Sequence, residues 1–129
     1  MTAATDTAAT SLDQQVTDWL TTFAAALNTS DPDAAADAVA DLFEPDGFWR
    51  DLVVFTWNLH TAEGTDAIAD LVRANHDRIG ATDLVVEDAT DEGDGVTRGT
   101  VSFTTPVFKA RAIVRLRDGK IWTLLTSAR

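Results

Sequence analysis

The 129-residue sequence has no cysteine and no tyrosine, a single methionine, three prolines and only two lysines, Lys109 and Lys120. Without cysteine there can be no disulfide framework and no thiolate-held metal, which fits a reducing compartment and makes a cytoplasmic location the expectation. No run of about 18 apolar residues is present to cross a bilayer as a helix, and no membrane partner is expected. Basic residues are scarce. Ten Lys or Arg stand against 21 Asp or Glu, and the formal net charge of -11 repels phosphate backbones, so a nucleic-acid partner is not expected either. The imbalance is also uneven: three basic residues face twenty acids up to Asp94, and seven face one from Gly95 onward. That asymmetry favours docking of an acidic helical layer on a basic sheet, or pairing of two subunits, although each exposed ion pair contributes only about 0–1 kcal/mol.

The length suits one domain, which at this size buries roughly two thirds of the surface its unfolded chain exposes. Residues 1–10, MTAATDTAAT, lack the basic start and apolar core of a secretory signal and read as a disordered tail, leaving 11–129 as a single domain. Ser11 and Gln14 form a capping box, and Val16, Trp19, Leu20, Phe23 and Leu27 recur at helical spacing, predicting a helix over 12–28. Asp31 as N-cap and Pro32 at the first position open a second helix with Ala35, Ala38, Val39, Leu42 and Phe43 inward. Glu44-Pro45-Asp46-Gly47 reads as a turn, and Phe48 to Thr61 as strand, bent near Leu52, with Phe55, Trp57 and Leu59 alternating against Thr56, Asn58 and His60. Gly64-Thr65 starts a third helix with Ile68, Leu71, Val72 and Ile79 inward and Gly80 as its stop. The remainder alternates as sheet over 83–90, 96–106, 107–116 and 120–127, with Arg117-Asp118-Gly119-Lys120 as a two-residue hairpin. Three helices followed by antiparallel strands define an α+β domain with helices on one face of the sheet.

The stretch from Asp46 to His60 is the most informative for function. It sets two carboxylates, an arginine and a histidine among aromatic and branched residues, a mixture that points to a cavity rather than a solid core. If Asp51 points inward, the strand period sets Trp49 beside it and turns Arg50 away. A carboxylate so placed suits a proton acceptor; the alternative is a turn cap or an ion pair with Arg50 or another arginine at the sheet edge. His60 is a candidate acid, base or hydrogen-bond donor at the pocket mouth, or else a surface residue. His76 reads as a boundary residue, and two histidines so far apart with no ligand-spaced carboxylate give no metal site. Ala110 and Ala112, small residues on the inner side of a strand, leave space for a ligand or for a closely pressed helix. Trp19, Phe23, Trp49, Trp57 and Trp122 are candidates for an aromatic pocket wall, with core packing as the alternative. The row Lys109, Arg111, Arg115 and Arg117 reads as the outer face of the sheet, solvated or dimer-forming. Gly93-Asp94-Gly95 with Gly99 lacks G-x-G-x-x-G spacing and offers no dinucleotide site, so no cofactor is expected.

The texts Trp19 to Asp31, Leu42 to Asp51 and Glu63 to Ile68, in this order and at these separations, resemble the NTF2-like (cystatin-like) superfamily, specifically its SnoaL-like branch, over roughly residues 12–127. Phe48 to Gly64 and Lys120 to Thr126 look like the N-terminal domain of certain flavin-containing monooxygenases, enzymes that continue into nucleotide-binding domains where this sequence ends at Arg129. The resemblance implies three N-terminal helices packed in a strongly curved, mostly antiparallel sheet, a conical pocket for a small apolar molecule, and a homodimer through the sheet's outer face. It fixes no activity, since its members include isomerases, cyclases, dehydratases, hydrolases and binding domains. Aligned on it, Asp51 falls where ketosteroid isomerases place their general base, which implies cofactor-independent proton transfer. The first-helix tyrosine of those enzymes is Phe23 here, and their late-strand aspartate, kept protonated by its apolar surroundings, falls near Ala112, so steroid isomerisation is not expected. The other implied role is a non-catalytic accessory domain that pairs with itself or with a flavoprotein partner.

Overall fold

A computed structural model describes the backbone of residues 2–52, 54, 59–76, 81–106 and 108–128, and side chains from Leu12 onward. Helix α1 spans Thr2–Leu27. It starts well ahead of the Ser11 capping box, because the alanines before Ser11 are strong helix formers and nothing there breaks the helix; the segment expected to be a tail is helical. The inward stripe is as the spacing predicts, with Val16, Trp19, Leu20, Phe23 and Leu27 all buried. Helix α2, Pro32–Ala40, opens as expected, the Asp31 carboxylate accepting from the Ala34 amide at 2.9 Å. Helix α3 spans Gly64–Asn75 and buries Ile68, Leu71 and Val72; Ile79 and Gly80 lie outside the described residues.

Six strands follow the order β2-β1-β6-β5-β4-β3 in a single sheet, with β1 at Phe43–Leu52, β2 at Leu59–Glu63, β3 at Thr82–Gly93, β4 at Val96–Thr104, β5 at Lys109–Arg117 and β6 at Lys120–Ala128. All neighbours are antiparallel except β1 and β6, which run parallel. The predicted turn at 44–47 is instead the irregular start of β1, where the register to β6 shifts between Phe43 and Phe48. Gly47 permits this, because a Cβ there would lie 2.9 Å from the Ile121 carbonyl oxygen. Phe43, expected on α2, is thereby delivered to the core from β1. The Asp118-Gly119 hairpin forms as expected, with φ of 52° and 79° at its two central residues.

Helix α1 lies across the inner face of the sheet. Contact is closest at Gly99, where a Cβ would sit 2.7 Å from Val16 Cγ1. Two polar clips fix the helical layer. The Asn28 side-chain amide pairs with both backbone groups of Ala81 at the entry to β3, and the Thr29 carbonyl accepts from His76 Nε2 at 2.7 Å. His76 is thus a boundary residue tying α3 to the α1–α2 turn.

Candidate functional site

Pairing places one residue from each strand in a row on the inner face: His60, Asp51, Thr126, Ala112, Val101 and Val86. The neighbouring row carries Ala62, Trp49, Leu124, Val114, Gly99 and Ala89. Asp51 therefore points into the domain beside Trp49, both fully buried, while Arg50 is exposed on the other face. The strand of Asp51 is not an edge of the sheet, since β1 is flanked by β2 and β6.

The carboxylate is held by a residue that no sequence motif singles out. Trp49 Nε1 donates to Thr126 Oγ1 at 2.9 Å, and Thr126 Oγ1 donates to Asp51 Oδ1 at 2.6 Å. A threonine hydroxyl carries one hydrogen; because the indole can only donate, that hydrogen is directed at Asp51 and fixes Oδ1 as an acceptor. The one available signal for Thr126 is its strand parity, two positions from Leu124 on the buried side of β6.

Rings occupy much of the interior. Trp19 stacks on Phe23 with centroids 5.1 Å apart, Phe23 meets Trp49 edge-on at 5.6 Å, and Phe43 stacks on Trp49 at 6.2 Å. Between α1 and the sheet they leave only a narrow apolar hollow, bounded by Trp19, Phe23, Val101, Phe103 and Ala112, with no space wide enough for a water molecule. Ala110 is fully buried and does not border it. Of the candidate residues, Trp19, Phe23 and Ala112 border it, whereas Trp49, which meets Phe23, and Asp51, joined to Trp49 through Thr126, lie outside its lining.

His60 shares a face with Asp51 but is exposed, at a surface cleft between β2 and α3. The expected alternation on this strand is reversed at its described end: Leu59 faces outward and is 68% exposed. Trp122 is not part of the Trp19–Phe23–Trp49–Phe43 group and has the Arg117 guanidinium 4.5 Å from its ring centroid. Arg117 is also paired with Glu44 and Asp46, and its pKa is raised, chiefly by the hydrogen bond from its guanidinium to Glu44 and against an opposing desolvation effect. Trp57 lies outside the described residues. Among the described residues no cluster of three or more metal-ligating side chains occurs, and no helix is long and apolar enough to cross a membrane.

Three helices on the inner face of a curved six-stranded sheet define the NTF2-like, cystatin-like class of α+β fold. Within that class the chain belongs to the SnoaL-like domain family, whose model matches residues 20–124. A cystatin-fold domain of unknown function from Nostoc punctiforme superposes with a TM-score of 0.73 at 12% identity, covering 93% of this chain and 78% of that one. A ketosteroid isomerase-like protein from Erwinia carotovora gives 0.65 at 14% identity, with 91% and 92% covered. A SnoaL-like family protein from Agrobacterium tumefaciens gives 0.63 at 20%, with 90% and 98% covered. No curated protein matches the sequence.

Proposed function

We propose that this SnoaL-like domain binds a small, largely apolar molecule between α1 and the inner face of the sheet, with Asp51 as its polar anchor and proton acceptor. The observation that carries the reading is the fully buried carboxylate on the inner face, held by the Thr126 hydroxyl. Carboxyl groups on the inner face of a domain are uncommon and are concentrated at functional sites. The chemistry that suits it is cofactor-independent. Asp51 takes a proton from a carbon next to a carbonyl, the released electron pair moves toward the carbonyl oxygen, and the proton is returned elsewhere on the same molecule. His60, opposite Asp51 across the β1–β2 pair and exposed at the β2–α3 cleft, is the candidate donor. Because the hollow admits no water, ligand entry requires the Trp19–Phe23 stack to move.

The test is a panel of apolar carbonyl compounds against the parent protein and Asp51→Asn. Parent protein in ligand at 100 times its dissociation constant gains about 2.7 kcal/mol of stability. Asp51→Asn is expected to fold, to lose turnover by at least about a hundredfold, and to bind more weakly. Undiminished turnover or binding in the variant removes Asp51 from the role.

A second reading is favoured by how completely the rings fill the interior: an accessory domain whose outer sheet face pairs with a second copy or with a flavoprotein. Phe48 and Val85 on that face are 37% and 53% exposed. Sedimentation as a dimer that Phe48→Glu dissociates, together with no stabilisation by any carbonyl compound, supports this reading over the first.

A further inference from the structure

The register that pairs β1 with β6 sets Asp51 directly beside Thr126, and Trp49 beside Leu124, all on the inner face. Trp49, Asp51 and Thr126 are fully buried. The Trp49 indole reaches along the strands to give its N–H to the Thr126 hydroxyl at 2.9 Å, and the hydroxyl gives its hydrogen to Asp51 Oδ1 across the strand pair at 2.6 Å. Two donors thus stand in series. Accepting the indole N–H polarises the hydroxyl and strengthens the bond that it passes on, the more so in surroundings of low dielectric. A hydrogen bond donated to a carboxylate favours its ionised form, whereas burial favours the neutral acid. The separation of 2.6 Å is that of a hydroxyl bound to an ionised oxygen. Charged and titratable neighbours are placed elsewhere: Arg50 is exposed on the outer face, and His60, across the β1–β2 pair, is exposed at its cleft. Beyond Thr126 the next strand brings Ala112, and the residues that α1 and α3 bury are apolar apart from the neutral Asn75.

We infer that Thr126 is a positioning residue for Asp51: its hydroxyl, aimed by the Trp49 indole, holds the carboxylate ionised and fixed at Oδ1, so that Asp51 enters the reaction as a proton acceptor and not as a proton donor. This rests on Asp51 as the acceptor of the proposed reaction and adds the groups that make it one. A threonine that served only packing would satisfy the Trp49 N–H and leave the ionisation of Asp51 unaffected.

The full chain, labelled with carbon-13 at its aspartate carboxyl groups, is titrated with acid, and the Asp51 resonance is identified by its loss in Asp51→Asn. Thr126→Val keeps the shape of the side chain and removes the hydroxyl; its Asp51 is expected to bind a proton about tenfold more tightly than in the parent, and so to become neutral at higher pH. Thr126→Ser is expected to restore the parental titration. Trp49→Phe keeps a ring but no longer dictates where the hydroxyl hydrogen points, and is expected to shift the titration in the same direction by less. An unchanged titration in Thr126→Val over the pH range in which both proteins are folded, or a serine variant that behaves as the valine one, overturns the inference. Titration needs no ligand, so that outcome leaves the role of Asp51 standing. Undiminished turnover in Asp51→Asn, with the titration shifted as expected, instead removes that role while Thr126 still governs the ionisation.

Discussion

A single hydroxyl, that of Thr126, serves two buried partners at once, receiving the Trp49 indole N–H and directing its own hydrogen to Asp51. Thr126→Val keeps the shape and removes both bonds, so a loss of roughly 1–3 kcal/mol in urea unfolding is expected, with Thr126→Ser close to the parent. Equal stability of the valine variant would show that the bridge contributes nothing. Gly99 makes the opposite demand, for absence of bulk. Gly99→Ala drives a methyl into Val16 and is expected to cost about 1–3 kcal/mol, part of which returns in the Gly99→Ala/Val16→Ala double variant. Strictly additive losses would argue against that clash. Residue types and parity make Asp51 and Trp49 legible as neighbours in the sequence. Thr126 is not, because its partner lies 75 positions away and no local pattern reports which strand lies beside β1.

Elements are legible where a local signal is also the cause of the structure. The Asp31 cap with Pro32 after it, the α1 stripe and the Asp118-Gly119 hairpin all follow from short-range chemistry. Asp31→Ala is accordingly expected to lose about 1 kcal/mol in thermal or urea unfolding, and Asp31→Asn much less; equal losses would mean that charge rather than capping geometry matters. Local signals mislead where tertiary context overrides them. Glu44 to Gly47 has turn composition but is drawn into β1 by pairing with β6, and the Leu42 carbonyl accepts from the Ile121 amide at 2.7 Å just ahead of it. The composition of Leu59 and His60 suggests apolar-in and polar-out, yet register with β1 turns His60 to the Asp51 side. Strand order, and with it the company each side chain keeps, is set by pairings that composition does not encode.

For the molecule as a whole, a net charge of -11 on 129 residues sets self-repulsion against the ion pairs that join the basic strands to the acidic ones. Pairs such as Arg115–Glu92 and Arg111–Glu87 are partly exposed and contribute little individually. Repulsion summed over the surface is the larger effect, so raising sodium chloride from about 0.05 to 0.5 M is expected to increase Tm. A falling Tm would show that the ion pairs outweigh the excess charge. The curved sheet and helical layer are foreseeable from the order of elements, whereas the degree to which rings close the interior is not, since filling depends on rotamers across five or more elements.

The parallel pairing of β1 with β6 means that the first strand finds its central neighbour only in the last. Trp49 therefore acquires its hydroxyl partner only when segments 77 positions apart have met. With the other three tryptophans replaced by phenylalanine, its emission becomes a clock for sheet completion. In stopped-flow refolding that signal should lag behind the far-ultraviolet dichroism of the helices.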